Sequence, residues 1–200
     1  RQRQMCIRDS LWRAMEKPEP TKTEHPFTDV KEGDFFYKAV LWAVEKGITK
    51  GLTETTFGPT AECNRAQVVT FLYRAMGEPE VSSTQHPFTD VADDQFYFVP
   101  MLWAVENGIT NGVDAEHFAP AMECSRAHAV TFLYRAVGQP AIENRVNPFE
   151  DVAYEAYYLN AVLWAVENGV TAGVSATEFG PGVLCNRAQI VTFLYKTYNK

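Results

Sequence analysis

The chain has 200 residues, of which 46% are hydrophobic and 13% aromatic, so it can bury a core and is not a disordered polymer. Its formal net charge of −7 at pH 7 disfavours a nucleic-acid partner, because such a partner selects a basic surface. No apolar run reaches the roughly 18 residues of a membrane-spanning helix, so the sequence predicts no membrane span.

The chain begins with a segment unlike the remainder. Residues 1–10, RQRQMCIRDS, match no other part of the sequence, and we interpret them as a non-native start; a divergent native N-terminus is the alternative. Residues 11–26 read LWRAMEKPEPTKTEHP and match LYRAMGEPEVSSTQHP at residues 72–87. We therefore interpret residues 11–26 as the tail of a preceding repeat's helix and a linker, which implies further domains upstream.

The rest of the chain repeats itself every 61 residues. This spacing separates Phe27, Phe88 and Phe149, and it recurs without insertion for aspartate, tryptophan, cysteine and arginine positions. A fixed period of this size is typical of folds in which each repeat forms the same supersecondary unit. We divide the chain into repeats at 27–87, 88–148 and 149–200.

Each repeat begins with an extended segment and a first helix. In the first repeat, HPFTDVKEGDFF contains turn residues, and the apolar spacing in FYKAVLWAVEKG predicts a helix near residues 36–46. Gly47 is placed to end this helix with a positive φ, and Ile48 then supplies an apolar contact. In the second repeat Pro100 occupies an alanine position, so we expect the corresponding helix to begin late or to kink.

A loop with an apolar anchor, Phe57, leads to a second helix near residues 64–76. Asn64 is a favourable N-cap and Gln67 stands three residues later, as in a capping box. Two short helices cannot bury their apolar faces alone, so neighbouring repeats must pack together. The sequence therefore predicts an all-α fold of three tandem helix-loop-helix repeats, arranged as a pseudo-threefold cluster or a short solenoid.

Cysteines stand just before the three N-caps, where an apolar contact onto the helix is expected: Cys63, Cys124 and Cys185. We predict buried, unbridged thiols. Zinc ligands are usually closely spaced, as in C-x2-C, so we predict no metal site. The sequence has no recurring catalytic pair and no cofactor motif, so we expect neither enzymatic activity nor a cofactor.

In order, the segments FTDV, LWAVEKGIT, FGP and CNRAQVVTFLYRA resemble the S-layer homology domain, in three copies over residues 27–200. The resemblance implies a helical module that holds a secreted surface protein non-covalently on the bacterial cell wall. The implied ligand is an acidic secondary cell-wall polysaccharide, often ending in pyruvylated N-acetylmannosamine, bound in grooves between repeats. The family's usual motif at the start of the second helix is Thr-Arg-Ala-Glu. In this chain its glutamate is replaced by Gln67, His128 and Gln189.

The resemblance implies that the arginine directly after each N-cap binds the ligand, which in this chain means Arg65, Arg126 and Arg187. A helix N-terminus favours an anion, and a guanidinium binds a carboxylate through two hydrogen bonds. The alternatives are that these arginines pair with neighbouring aspartates and that the tryptophans pack in the core instead of against sugar. The candidate ligand-binding residues are Arg65, Arg126, Arg187, Asn64, Ser125, Asn186, Asp29, Asp90, Asp151, Trp42, Trp103 and Trp164.

Replacement of an arginine at this position is expected to weaken glycan binding and leave the fold intact. A function of another class also fits the helical grooves, namely a protein–protein or self-assembly module that binds no glycan.

Overall fold

The computed structural model describes residues 24–199, so the interpretation of residues 1–10, and that of residues 11–26 except for its last three residues, lie outside the described residues. The described part contains six helices and no strand: α1 Tyr37–Glu45, α2 Arg65–Ala75, α3 Phe98–Glu106, α4 Arg126–Ala136, α5 Leu159–Glu167 and α6 Arg187–Tyr198. The all-α class and the two helices in each repeat are confirmed. No helix in this part of the chain has the length and apolar character that a bilayer crossing requires.

The first helix of each repeat ends as its glycine predicts. Gly47 has a φ of 69°, and its N–H donates to the carbonyl of Val44 at 3.1 Å. The N–H of Ile48 reaches back to the carbonyl of Ala43 at 2.8 Å, which completes a Schellman motif. Ile48 is fully buried, so this termination also directs the chain into the core.

The second helix of each repeat begins with a side-chain cap. Asn64 Oδ1 accepts a hydrogen bond from the Gln67 N–H at 2.9 Å, and Gln67 Oε1 accepts from the Asn64 N–H at 3.1 Å. Asn186 and Gln189 form the same capping box at α6. In the second repeat the Ser125 hydroxyl alone caps α4.

The expectation that Pro100 delays the start of α3 is wrong. The helix begins at Phe98, which is the residue equivalent to the first residues of α1 and α5. Pro100 is therefore the third residue of the helix, within the first turn. A backbone N–H in that turn has no acceptor inside the helix, so proline removes no hydrogen bond there.

The loop between the two helices is fastened by the aspartate of the FTDV segment. Asp29 Oδ1 accepts a hydrogen bond from the Phe57 N–H, and Oδ2 accepts from the Gly58 N–H, both at 2.8 Å. Burial raises the pKa of this carboxyl group, but these backbone donors outweigh that effect and hold the pKa below its usual value. The fully buried ring of Phe57 packs against Phe27, as its role as an anchor predicts.

The three repeats close into a ring. The second helix of each repeat packs against the first helix of the next, α2 on α3 and α4 on α5, and α6 returns to α1. At the centre, the N–H of Cys63 donates to Cys185, that of Cys124 to Cys63, and that of Cys185 to Cys124, at 2.8 to 2.9 Å. This closed circle of backbone hydrogen bonds identifies the pseudo-threefold arrangement, since an open solenoid leaves its terminal repeats unjoined.

We predict that Gly51→Ala lowers the free energy of unfolding by about 2 kcal/mol. Gly51 has a φ of 87°, and a Cβ there would lie 2.5 Å from Phe27 Cε1 and 2.7 Å from the Thr53 and Thr56 carbonyl oxygens. Urea unfolding followed by circular dichroism measures the loss. Gly33→Ala is the control, because nothing lies within 4 Å of its added Cβ; equal stabilities of the two variants would contradict the prediction.

Candidate functional site

The arginines that follow the N-caps are buried, each with only 3% of its surface exposed. Arg65 leaves the first repeat and enters the second, where Nε donates to the Phe118 carbonyl at 2.9 Å and Nη2 donates to Thr110 Oγ1 at 3.0 Å. Arg126 enters the third repeat in the same way, and Arg187 returns to the first, where it binds the Phe57 carbonyl at 2.8 Å. Each arginine therefore links one repeat to the next.

Two aromatic rings enclose each guanidinium group. Arg65 Cζ lies 5.1 Å from the ring centroid of Phe118 and 5.2 Å from that of Phe132. These distances are in the range of favourable cation–π contacts, which gain strength when water is excluded. Burial lowers the pKa of the arginine, but a guanidinium stays charged at any physiological pH. A permanent cation is thus held between the repeats.

The aspartates do not neutralise this charge through an ion pair. In the part of the chain that the structure describes, no carboxylate oxygen lies within 4.0 Å of these arginines, and the only pair at that distance is His117–Asp114. The three aspartates bind loop backbone instead: Asp29, Asp90 and Asp151. Nη1 of Arg187 makes no hydrogen bond to any residue among 24–199, so these residues leave one edge of the guanidinium group unused.

The N-termini of the second helices are less open to an anion than the sequence indicates. The Arg65 N–H donates to the Met122 carbonyl at 2.9 Å, the Ala66 N–H donates to the Pro120 carbonyl at 3.1 Å, and Asn64 caps the next free N–H. These interactions between repeats use the donors that an anion would need. At this helix N-terminus, the hydrogen-bond donors that the described residues leave unused therefore belong to the arginine side chain.

The tryptophans lie in the core. Trp42, Trp103 and Trp164 are 3 to 4% exposed. Each packs on a tyrosine of the preceding helix pair, as Trp103 does on Tyr73 with 5.6 Å between ring centroids. The interpretation that these rings serve core packing matches the structure, since a sugar needs an accessible ring face.

A groove with a cationic lining lies beside Arg187, where this side chain enters the first repeat. We call it the first groove. It has a volume of about 300 Å³ and is lined by Thr49, Lys50, Gly51, Leu52, Gln67, Thr70, Phe71, Arg74, Phe96 and Arg187. Three of these residues are cationic and none is acidic, although the chain as a whole carries a net charge of −7. All three repeats contribute to it, so the ring must close for the groove to exist.

Of the ten lining residues, only Arg187 was among the candidates predicted from the sequence, and the charged and aromatic residues not predicted are Lys50, Arg74 and Phe96. Phe96 is 62% exposed, and its equivalents Phe35 and Tyr157 are 73% and 63% exposed. A single exposed aromatic residue is ordinary, but exposure of the same position in three repeats indicates a surface role. The 61-residue period could have identified this position if it had been combined with the predicted start of the first helix.

The 61-residue period predicts equivalent grooves at the other two boundaries, formed by the residues that correspond to the lining of the first groove. The second groove involves residues 110–113 and 128–135 with Tyr157 and Arg65. Partial burial raises the pKa of Tyr157, and the positive charges of Arg135 and Arg65 act against that rise. The third groove involves residues 171–174 and 189–196 with Phe35 and Arg126.

The three cysteine thiols surround the central circle of hydrogen bonds and are fully buried and unbridged. Burial raises the pKa of Cys63 and Cys185 to about 12 and raises the pKa of Cys124 as well. Within residues 24–199 no three histidine, cysteine or acidic side chains are placed to hold a metal ion. The thiols therefore act as small apolar groups.

The sequence matches the model of the S-layer homology domain at residues 26–69, 87–130 and 148–191. Those three segments contain the first helix of each repeat and the first five residues of the second, and they cover more than half of the chain.

Curated relatives are large proteins of which this chain resembles a small part. It is 32% identical over 117 residues to a cell surface protein of Thermoanaerobacter kivui, matching 56% of this chain and 15% of that protein. It is 37% identical over 94 residues to the surface-layer 125 kDa protein of Lysinibacillus sphaericus, 47% of this chain and 8% of that protein. An endoglucanase of Bacillus sp. (strain KSM-635) is 32% identical over 111 residues, 56% of this chain and 12% of that enzyme.

Because the arginines are buried, we expect their replacement to lower the stability of the fold as well as to affect binding. We predict that Arg65→Met lowers the free energy of unfolding by about 3 kcal/mol, because the Phe118 carbonyl and the Thr110 hydroxyl lose their buried donor. Urea unfolding measures the loss. The matched control is Arg145→Met, since Arg145 is exposed; if Arg65→Met is as stable as this control, the arginine does not join the repeats.

We predict that the thiols of Cys63, Cys124 and Cys185 react about a thousandfold more slowly in the folded protein than an ordinary thiol at pH 8, because a raised pKa leaves little thiolate. A chromogenic disulfide reagent measures the rate in a Cys6→Ser background, with and without denaturant. Fast reaction of all three thiols in the folded protein would show that the central circle of hydrogen bonds is open.

Proposed function

Because the chain belongs to the S-layer homology domain family, we propose that it is an anchoring module that holds a secreted protein non-covalently on the bacterial cell wall. The family match and the surface proteins among its relatives support a location at the cell surface, outside the membrane. The role is binding and not catalysis. The endoglucanase among the relatives does not argue otherwise, since the match covers only 12% of that enzyme.

The ligand is an acidic secondary cell-wall polysaccharide that ends in a pyruvylated sugar. The observation that carries this proposal is the first groove, where Lys50, Arg74 and Arg187 stand together without an acidic neighbour in the lining. A groove with low-dielectric walls and charge of one sign attracts an oppositely charged ligand. In a protein of net charge −7, such a cluster favours an anion selectively.

The unused edge of Arg187 suits the carboxylate of such a sugar. Its other edge is fixed by hydrogen bonds to Phe57 and Thr49 at 2.8 and 3.0 Å, so the guanidinium is oriented before any ligand arrives. A charge-assisted hydrogen bond from an oriented guanidinium is strong and directional. The arginines thus serve the fold and the ligand through different donors.

The apolar part of the groove suits the remainder of the sugar. Phe96 and Leu52 are 62% and 52% exposed and line the groove with the cations. An aromatic face packs well against the C–H face of a sugar ring, and the methyl group of a pyruvate ketal is itself apolar. The buried tryptophans take no part in this proposal. The same exposed apolar residues are what a protein–protein or self-assembly module would use, which is the alternative.

The test compares purified secondary wall polysaccharide before and after mild acid removes its pyruvate groups. We predict that loss of the carboxylates weakens binding at least about tenfold, since the charge-assisted contacts disappear. Equilibrium dialysis measures the affinity, and sedimentation velocity reports self-association in the same samples. Equal affinity for both polysaccharides would contradict the acidic ligand, and concentration-dependent self-association without glycan binding would favour the alternative.

A further inference from the structure

The positions that line the first groove have equivalents in all three repeats, but the charges at these positions differ. Lys50 in the first groove corresponds to Asn111 in the second and Ala172 in the third. The arginine from the neighbouring repeat is present in all three grooves, and Arg74 has cationic equivalents in Arg135 and Lys196. The grooves therefore differ most in charge at the position of Lys50, which directly follows the buried Thr49.

Lys50 lies beside Arg187, the arginine that has an equivalent in each of the other two grooves. It directly follows Thr49, whose hydroxyl accepts from Arg187 Nη2 at 3.0 Å, and the exposed lysine and the buried arginine line one cavity. An exposed ammonium group can move to meet a ligand, whereas the guanidinium is fixed. A carboxylate in this groove meets both a fixed and a mobile cation.

The second groove replaces Gln67 with His128, which is half-buried and hydrogen-bonds Ser125 Oγ through Nδ1 at 3.2 Å. Burial, together with Arg65, lowers the pKa of His128, so at neutral pH this groove gains no third charge from the histidine. Asp93 and Asp94 precede Phe96 near the first groove but do not line it.

We propose that the first groove is the primary site for the acidic sugar and that Lys50 is the residue that makes it so. The proposal rests on the proposed function, because it concerns which of three similar grooves binds the same class of ligand. It assigns a carboxylate-bearing sugar terminus to the cavity between Lys50, Arg74, Phe96 and Arg187. The other two grooves then bind the same terminus more weakly.

Each groove contains one glycine at the same place, which makes the three sites separable by NMR. The N–H groups of Gly51, Gly112 and Gly173 donate to Thr49, Thr110 and Thr171 Oγ1 at 3.2 to 3.4 Å, beside the arginine contact. The probe is the methyl glycoside of pyruvylated N-acetylmannosamine, titrated into the whole nitrogen-15-labelled chain. We expect the Gly51 signal to saturate at the lowest sugar concentration.

Two substitutions and one control test the role of Lys50. Lys50→Ala should weaken binding at Gly51 about fivefold and leave the dissociation constants at Gly112 and Gly173 unchanged. Asn111→Lys should strengthen binding at Gly112 by a similar factor. Lys46→Ala, which removes an exposed lysine outside the groove, should change none of the three.

The outcomes separate this proposal from the one on which it rests. Equal affinities at the three glycines, or an unchanged affinity at Gly51 in Lys50→Ala, would overturn the assignment of the primary groove while acidic-sugar binding stands. No response of any glycine signal to the sugar would overturn both.

Discussion

A buried arginine that leaves its own repeat and is enclosed by the next is the interaction on which the rest of the structure depends. Removing a guanidinium from water costs several kcal/mol, and only good partners offset that cost. The structure supplies a carbonyl oxygen, a threonine hydroxyl and two aromatic rings around Arg65. All of these partners belong to the neighbouring repeat. A single repeat would therefore expose its arginine and leave the acceptor site of another arginine empty.

The ring follows from applying this contact three times. Arg187 closes it by reaching from the third repeat to Phe57 and Thr49 of the first, and the hydrogen bonds among the cysteine backbones close it at the centre. The grooves inherit this dependence, because the first groove takes residues from all three repeats. In this account, folding of the ring and formation of the binding surface are one event.

The local parts of this structure could be predicted from the sequence, and the parts made between repeats could not. Gly47 and the Asn64–Gln67 capping box act within a few residues, so their patterns predict where helices end and begin. Burial of Arg187 depends on Phe57, which is 130 residues away in the chain, and no local pattern signals such a contact. A polar residue after an N-cap looks exposed until the neighbouring repeat is in place. The Pro100 error had a local cause, since a start one residue too early moved the proline deeper into the helix.

The most direct measurement is hydrogen exchange at the arginine Nε–H groups, observed by NMR on the intact chain. The account predicts slow exchange for Arg65, Arg126 and Arg187, whose Nε–H groups donate to buried carbonyls at 2.8 to 2.9 Å, and fast exchange for the exposed Arg145. Such protection would show that the three guanidinium groups are held within the neighbouring repeats in solution. Exchange of all four groups at the rate of Arg145 would contradict it, because arginines open to water cannot join the repeats into a ring.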